Sequence, residues 1–342
     1  MNRTLLRRLF YIFSKPYSIR QLQKLSKQNF IFPFYHIVSD HPSPLVKHLY
    51  PVVSIDRFNT DLDFLLKHYE PATFEEVLTF AHSKSYNGNP RFFLTFDDGF
   101  AECYSVIMPI LRERGLQAAF FVNPAFVDNR QLSHRQKVSL LMESVINNIE
   151  PRMAGEAGKL LGMMNVSRQN VLEALRCLTI ADNELIDKLA EIYRVKFNEA
   201  LQIYKPYMSA DQLRSLMVEG FTVGSHSYNH PEFNVLSEPD MKKQIHRSFD
   251  FLEKETGIKE RIFSFPFHDI GVPLSFFHFL QKEAGVKVSF GTSGMKLDNA
   301  PGHLHRIPME VKGLSGAEFI LKMEYFYYLS KSLVHKNTIK RR

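Results

Sequence analysis

Apolar and polar residues fall along this chain in blocks of two different periods. FIFPFYHIV (30–38), RFFLTF (91–96) and QAAFFVNP (117–124) are short apolar and aromatic runs bounded by polar or turn residues, the pattern of strands buried on both faces. Between them, DRFNTDLDFLLKHY (56–69) sets Phe58, Leu62 and Leu65 at helical spacing behind an Asp N-cap, and ECYSVIMPILRERG (102–115) predicts a helix that closes on Gly115. The alternation resumes at SADQLRSLMVEG (209–220), where a Ser-x-x-Gln capping box and a terminal glycine frame a helix leading into the strand FTVGSH (221–226). SEPDMKKQIHRSFDFLEKETG (237–257) predicts a capped helix with Met241, Ile245, Phe249 and Leu252 inward. Short strands follow at 261–267, 286–293 and 305–309, then a final helix at 315–333. Strands and helices in turn imply a parallel α/β architecture, in which chemistry gathers where strands end.

Residues 130–205 break this rhythm, with helical stripes (Val138, Leu141, Val145, Ile149; Leu185, Leu189, Ile192) and no convincing strand. They read as a helical insertion covering the core. A basic segment, 1–29, precedes the first strand, and a C-terminal helix with a basic tail occupies 311–342.

A chain of 342 residues with 44% hydrophobic content has ample material for a packed core, which excludes a disordered protein. The net charge of +7 raises the question of nucleic acid, and its distribution answers against it. Arg3, Arg7, Arg8, Lys15, Arg20, Lys24 and Lys27 precede the first acid, and Lys331, Lys336, Lys340, Arg341 and Arg342 follow the last, so the body between them is net acidic. A nucleic-acid groove needs its cations on one folded face. The apolar stretch 9–13 is too short for a signal-peptide core or a bilayer span, which places the protein in the cytoplasm. Its basic, aromatic N-terminus could rest on the inner membrane face. Cys103 and Cys177 form no CxxC, so any metal must be held by His and carboxylate.

The run RFFLTF ends on Asp97, Asp98 and Gly99. Two adjacent carboxylates at a buried strand end raise each other's pKa unless a cation intervenes. A second polar cluster, HSYNH (226–230), follows another strand. Read as one helical turn, it projects His226 and His230 from one face; with one of the two carboxylates they form a three-ligand site of the catalytic zinc type, open to water. The other carboxylate remains as a base, and Gly99 permits the turn that aims both acids to one side.

TFDDG, HSYNH and FSFPF (263–267) together resemble the polysaccharide deacetylases of the NodB-homology type, carbohydrate esterase family four. The resemblance spans roughly residues 30–310, less the insertion. It implies a distorted (β/α) barrel and an N-acetylated saccharide substrate. Asp97 is then the general base, Asp98, His226 and His230 hold a divalent metal, usually zinc, and the backbone N–H of Phe267 stabilises the oxyanion.

The chain departs from that pattern late in the sequence. Ser264 stands where many members carry an arginine that orients the base, and His268 replaces a glycine. HLHRIP (303–308) is the nearest source of the missing groups: Arg306 to orient Asp97, and His303 or His305, with His305 preferred, to protonate the leaving amine. The expected reaction is metal-assisted hydrolysis of an N-acetyl group on an amino-sugar glycan or its precursor. The alternatives are hydrolysis of another non-peptide amide or an O-acetyl ester, and a catalytically silent glycan-binding relative.

Overall fold

The computed structural model describes residues 3–148, 150–312 and 316–342, with side chains from residue 8 onward. Eight short strands form one parallel sheet: β1 (Pro33–Tyr35), β2 (Leu94–Phe96), β3 (Ala118–Val122), β4 (Thr222–Ser225), β5 (Ile262–Ser264), β6 (Val288–Gly291), β7 (His303–His305) and β8 (Ile307–Pro308). Their spatial order is β7-β6-β5-β4-β3-β2-β1-β8. Only Arg306 separates β7 from β8, so the two ends of the sheet are one continuous stretch of chain and the sheet curls into a barrel. Arg306 N–H bonds the Gly291 carbonyl at 3.0 Å on one side of this seam, and Ile307 N–H bonds that of Phe32 at 2.9 Å on the other. The expected distorted (β/α) barrel is the fold.

The strands read as unbroken apolar runs because both faces are covered. Within β3, Ala119 and Phe121 point into the barrel with Ile262, Val288, Phe290 and Leu304. Ala118, Phe120 and Val122 point out, against the helices. FIFPFYHIV and RFFLTF are each two strands, not one. Phe30–Ile31 and Arg91–Phe92 pair in a small side sheet with Glu70–Pro71, and only the second half of each run enters the barrel.

The helices are α1 (Arg3–Ser14), α2 (Ile19–Ser26), α3 (Ile55–His68), α4 (Phe74–Ser83), α5 (Met108–Glu113), α6 (His134–Asn147), α7 (Pro151–Leu160), α8 (Arg168–Cys177), α9 (Asn183–Ile192), α10 (Phe197–Tyr204), α11 (Ala210–Val218), α12 (Glu238–Thr256), α13 (Leu274–Lys282) and α14 (Ala317–Ser332). The cap of α3 is Ser54, whose hydroxyl accepts from Arg57 N–H; Asp56, expected there, lies in the first turn. The segment before α5 is a π-helical turn, Cys103–Ile107. Helices α4 and α13 were not anticipated. α4 has a clear Thr73–Glu76 capping box, whereas α13 has no side-chain cap and crowds Phe276, Phe277 and Phe279 into one short stretch. Ser315, the expected start of the last helix, lies outside the described residues.

Helices α6 to α10 lie within residues 134–204. α10 packs Ala200 and Leu201 with Phe100, Phe126 and Tyr207, while α6 to α9 bury a core of their own, in which Val138, Leu141 and Val145 meet Leu172, Leu175, Ile186 and Leu189. Leu185 and Ile192 pack at its edge, and Ile149 lies outside the described residues.

The C-terminal segment returns to the barrel. Thr338–Ile339 pairs in parallel with Leu297–Asp298, and Arg341, basic but buried, is clamped between two acids. Its Nη2 lies 2.7 Å from Asp298 Oδ2 and also bonds Asp269 Oδ2, while Nη1 donates to the Asp269 carbonyl at 2.7 Å. His303 and His305 complete the cluster, at 3.2 Å from Asp269 and 3.0 Å from Asp298. These four side chains resemble a ligand set, yet Arg341 already supplies the positive charge. Burial raises the Asp298 carboxyl, and His305 and Arg341 outweigh it, bringing it down to about 2; Asp269 is likewise held far below its usual range, by the two histidines and Arg341.

A carboxyl with a lower pKa folded than unfolded gives stability that is complete above the unfolded value of about 4 and is lost as pH falls through the folded one. Arg341→Met should therefore lower the thermal midpoint at neutral pH and move acid unfolding to higher pH, both read by circular dichroism. An acid transition at the wild-type pH would show that the clamp does not hold these carboxylates ionised.

Candidate active site

The ends of β2, β3, β4, β5 and β7 build the site. After β2 the chain turns at once through Asp98 and Gly99, both left-handed, with φ of 71° and 69°. Asp tolerates that region better than most residues. Glycine at 99 is required twice over, because a Cβ there would also lie 2.9 Å from Val122 Cγ1. Both carboxylates of the turn are buried.

The HSYNH segment after β4 is not the expected helical turn. Ser227 and His230 are left-handed (φ 68° and 63°), and side chains satisfy the backbone groups that a helix would pair internally. Ser227 N–H bonds Ser225 Oγ at 3.1 Å, His230 N–H bonds Ser227 Oγ at 3.0 Å, and Tyr228 N–H bonds Gln244 Oε1 of α12 at 3.0 Å. Asn123, just past β3, donates Nδ2 to the carbonyls of His226 and Ser227. This loop still brings the two imidazoles together. Their Nε2 atoms lie 3.5 Å (His226) and 3.2 Å (His230) from Asp98 Oδ1.

Hydrogen bonding fixes what these atoms can do. His226 Nδ1 lies 2.9 Å from the Ser264 carbonyl, which can only accept, so Nδ1 carries the proton. Burial pushes this imidazole down to about 4, so the ring is neutral and Nε2 presents a lone pair. It faces Asp98 Oδ1, which is buried with no hydrogen-bond donor, while Oδ2 accepts from the Tyr50 phenol. Burial, and then Asp98 itself, raise the Tyr50 pKa, so the phenol stays a donor. Two facing acceptors in a buried space are unfavourable unless a cation lies between them. Asp98, His226 and His230 thus fit a divalent metal, as a nitrogen and carboxylate set of three.

Asp97 has a different partner. Arg306 Nη1 and Nη2 each lie 2.7 Å from one of its oxygens, and the guanidinium also donates to Thr95 Oγ1 at 2.9 Å and Ser264 Oγ at 2.6 Å. Burial raises the Asp97 carboxyl, and Arg306, with smaller contributions from His226 and His36, outweighs that effect and leaves it below the usual range. The guanidinium arrives from the barrel seam, and the Ser264 hydroxyl accepts from it.

Phe267, left-handed at φ 55°, lies with its ring centre 4.7 Å from that of His230. Its N–H has no acceptor among the described residues. His305 is not brought to this group. Strand alternation turns Leu304 and Arg306 into the barrel and His303 and His305 out of it. Their rings face Asp269 and Asp298, away from Asp97, Asp98, His226 and His230.

Sequence reasoning missed several neighbours. Tyr50 comes from a loop without periodicity, so nothing local marks it. His36 pairs with Glu310 at 2.5 Å and stacks on Tyr50 with ring centres 4.1 Å apart. Asn123 had a usable signal, a polar residue at the carboxyl end of a buried strand.

Several solved structures share this architecture, among them the following three. A deacetylase of Streptococcus pyogenes, PplD, in complex with acetate superposes with a TM-score of 0.54 at 14% identity, covering 86% of this chain and 97% of that one. IcaB from Ammonifex degensii gives 0.53 at 17%, covering 87% and 97%. BC0361, a polysaccharide deacetylase from Bacillus cereus, gives 0.51 at 14%, covering 86% and 69%. At these identities the likeness is one of fold. No curated protein sequence matches the chain. The polysaccharide deacetylase family model matches residues 84–287, which contain both the TFDDG and the HSYNH segments. With well over half the chain matched and the fold in agreement, the protein belongs to the polysaccharide deacetylase family and is a hydrolase of the deacetylase type.

Proposed function

We propose that this protein removes N-acetyl groups from an amino-sugar glycan or glycan precursor with the help of a divalent metal held by Asp98, His226 and His230. The observation that carries the reading is the buried, undonated Asp98 Oδ1 facing two imidazoles, beside a second carboxylate fixed by Arg306. Zinc is the ion this donor set favours. When bound, it would supply a Lewis acid for the acetyl carbonyl and for water.

The protein's own residues account for the remaining steps. Arg306 holds Asp97 ionised and oriented, and each Asp97 oxygen keeps a lone pair to take the proton of the attacking water. The unpaired Phe267 N–H donates to the oxyanion that develops on the carbonyl. Asp97, once protonated, is a strong acid because its pKa is depressed, and it returns that proton to the departing amine. This route needs no help from His305. The silent glycan-binding alternative drew on the missing arginine, and Arg306 fills that place. Among acyl carriers, the amide is distinguished from an ester by the free amine it releases.

Asp97→Asn should keep the metal, measured by elemental analysis, while acetate release from an N-acetylated oligosaccharide falls roughly 10²–10⁴-fold, the usual span for loss of a general base. His226→Ala should lose both metal and turnover. Full activity in Asp97→Asn would remove the base assignment.

We also infer that α1 touches an anionic membrane surface. Leu9, Ile12 and Phe13 are exposed beside Arg8 and Lys15, although one face of the Phe13 ring stacks on Phe326 of α14, and Tyr11 stacks on Phe319 of the same helix. Among the described residues no helix is long and apolar enough to cross a bilayer. The double variant Ile12→Asp, Phe13→Asp should float less with anionic liposomes than the wild type; equal flotation would refute the contact.

A further inference from the structure

The mouth of the metal triad is walled by the start of the helical insertion. Ser133 and Arg135, together with Tyr50 and Phe100, close the crevice over Asp98 and His230 to a free volume of about 10 Å³. That is scarcely one water and far less than an acetamido group. Arg135 is half-buried there, its guanidinium carbon 5.1 Å from the ring centre of Phe267 and 5.9 Å from that of Tyr50. Among the described residues no carboxylate lies within ion-pair distance of it.

Its neighbours' charges are already matched. Asp97 faces Arg306, Glu310 faces His36, and Asp98 belongs to the ligand set. Arg135 is therefore a surplus cation at the entrance, and a guanidinium resting on two rings in place of an acid is poised to accept an oxyanion in a two-pronged hydrogen bond.

A second observation lies just behind it. Between the insertion and the HSYNH loop is a cavity of about 310 Å³, lined by His134, Lys137, Asn183, Phe197, Asn198 and Asn229. Its size is within the range of small-molecule sites. His134 is 6% exposed, and its Nδ1 has no partner; Asn229 Oδ1 is also buried and unpaired. Unsatisfied polar atoms around a void call for a polar occupant.

We propose that the helical insertion builds an oxyanion subsite beside the metal triad: Arg135 binds a phosphate or carboxylate on the substrate, and the polar cavity behind α6 receives the sugar that bears it. Entry requires the guanidinium to leave the Phe267 and Tyr50 rings and follow the anion. That the ligand is an acetylated sugar rests on the deacetylase reading; that it is anionic does not.

The test is calorimetric titration of the full-length, metal-loaded chain with methyl N-acetylglucosaminide, N-acetylglucosamine 1-phosphate and an N-acetylated aminouronic acid, in the wild type, Arg135→Gln and Arg135→Lys. The wild type should bind one or both anionic sugars roughly 10–100-fold tighter than the neutral one, the range of a charge-assisted contact. Which of them gains identifies the oxyanion. The ratio should fall towards unity in Arg135→Gln and be partly kept in Arg135→Lys. Equal affinities in the wild type would overturn the subsite even if neither variant folds, and an undiminished ratio in Arg135→Gln would place the anion on the metal instead. Acetate release from the same sugars is scored separately. Arg135-dependent binding without acetate sinks the deacetylase reading alone, and acetate release with no preference for anions sinks the subsite alone.

Discussion

The buried pair of Arg306 and Asp97 is the interaction on which fold and site both depend. Removing a guanidinium and a carboxylate from water costs several kcal/mol for each ion, and only near-complete hydrogen bonding offsets it. The barrel provides that bonding. Both carboxylate oxygens, Thr95 and Ser264 receive N–H donors from Arg306, and its guanidinium carbon lies 4.4 Å from the Phe34 ring centre. Arg306 is also the one residue between β7 and β8, so the contact that aligns Asp97 is made at the place where the sheet closes on itself.

Much of this was legible in the sequence, for physical reasons. A strand covered on both faces must be apolar throughout, so AAFFV announced itself, and two acids at its neighbour's end required a cation that the HSYNH histidines could share. The link between Arg306 and Asp97 was also expected. What could not be read were contacts between distant loops. Tyr50, which fixes one oxygen of Asp98, and Arg135, which stands over the rings of Tyr50 and Phe267, depend on tertiary packing that leaves no local period. The outward turn of His305 was in principle available from strand alternation, since Arg306 and His305 are neighbours and cannot both face the barrel interior.

Backbone conformation was the other hidden element. Asp98, Ser227, His230 and Phe267 are all left-handed without being glycine. Such residues each cost about 1–3 kcal/mol and persist only when their surroundings over-determine them. Here the over-determination is visible: Asn123, Ser225, Ser227 and Gln244 hold the histidine loop, and Thr292 holds the carbonyl of Phe267. A helix-period reading of HSYNH identified the right side chains through the wrong backbone, because helical spacing and this strapped loop both bring residues 226 and 230 together.

The seam has a kinetic side as well. It pairs Ile307 with Pro33 and Pro308 with Phe34, so the last strand of the barrel finds its register against the first across nearly the whole sequence. Loop-closure entropy makes such distant parallel pairings slow to form. Until they form, β1 and β7 present bare edges, and the arginine and aspartate wait unpaired in water. The pairing of Arg306 with Asp97 therefore belongs to the same event as circular closure, because neither residue meets the other until the two ends of the sheet are joined.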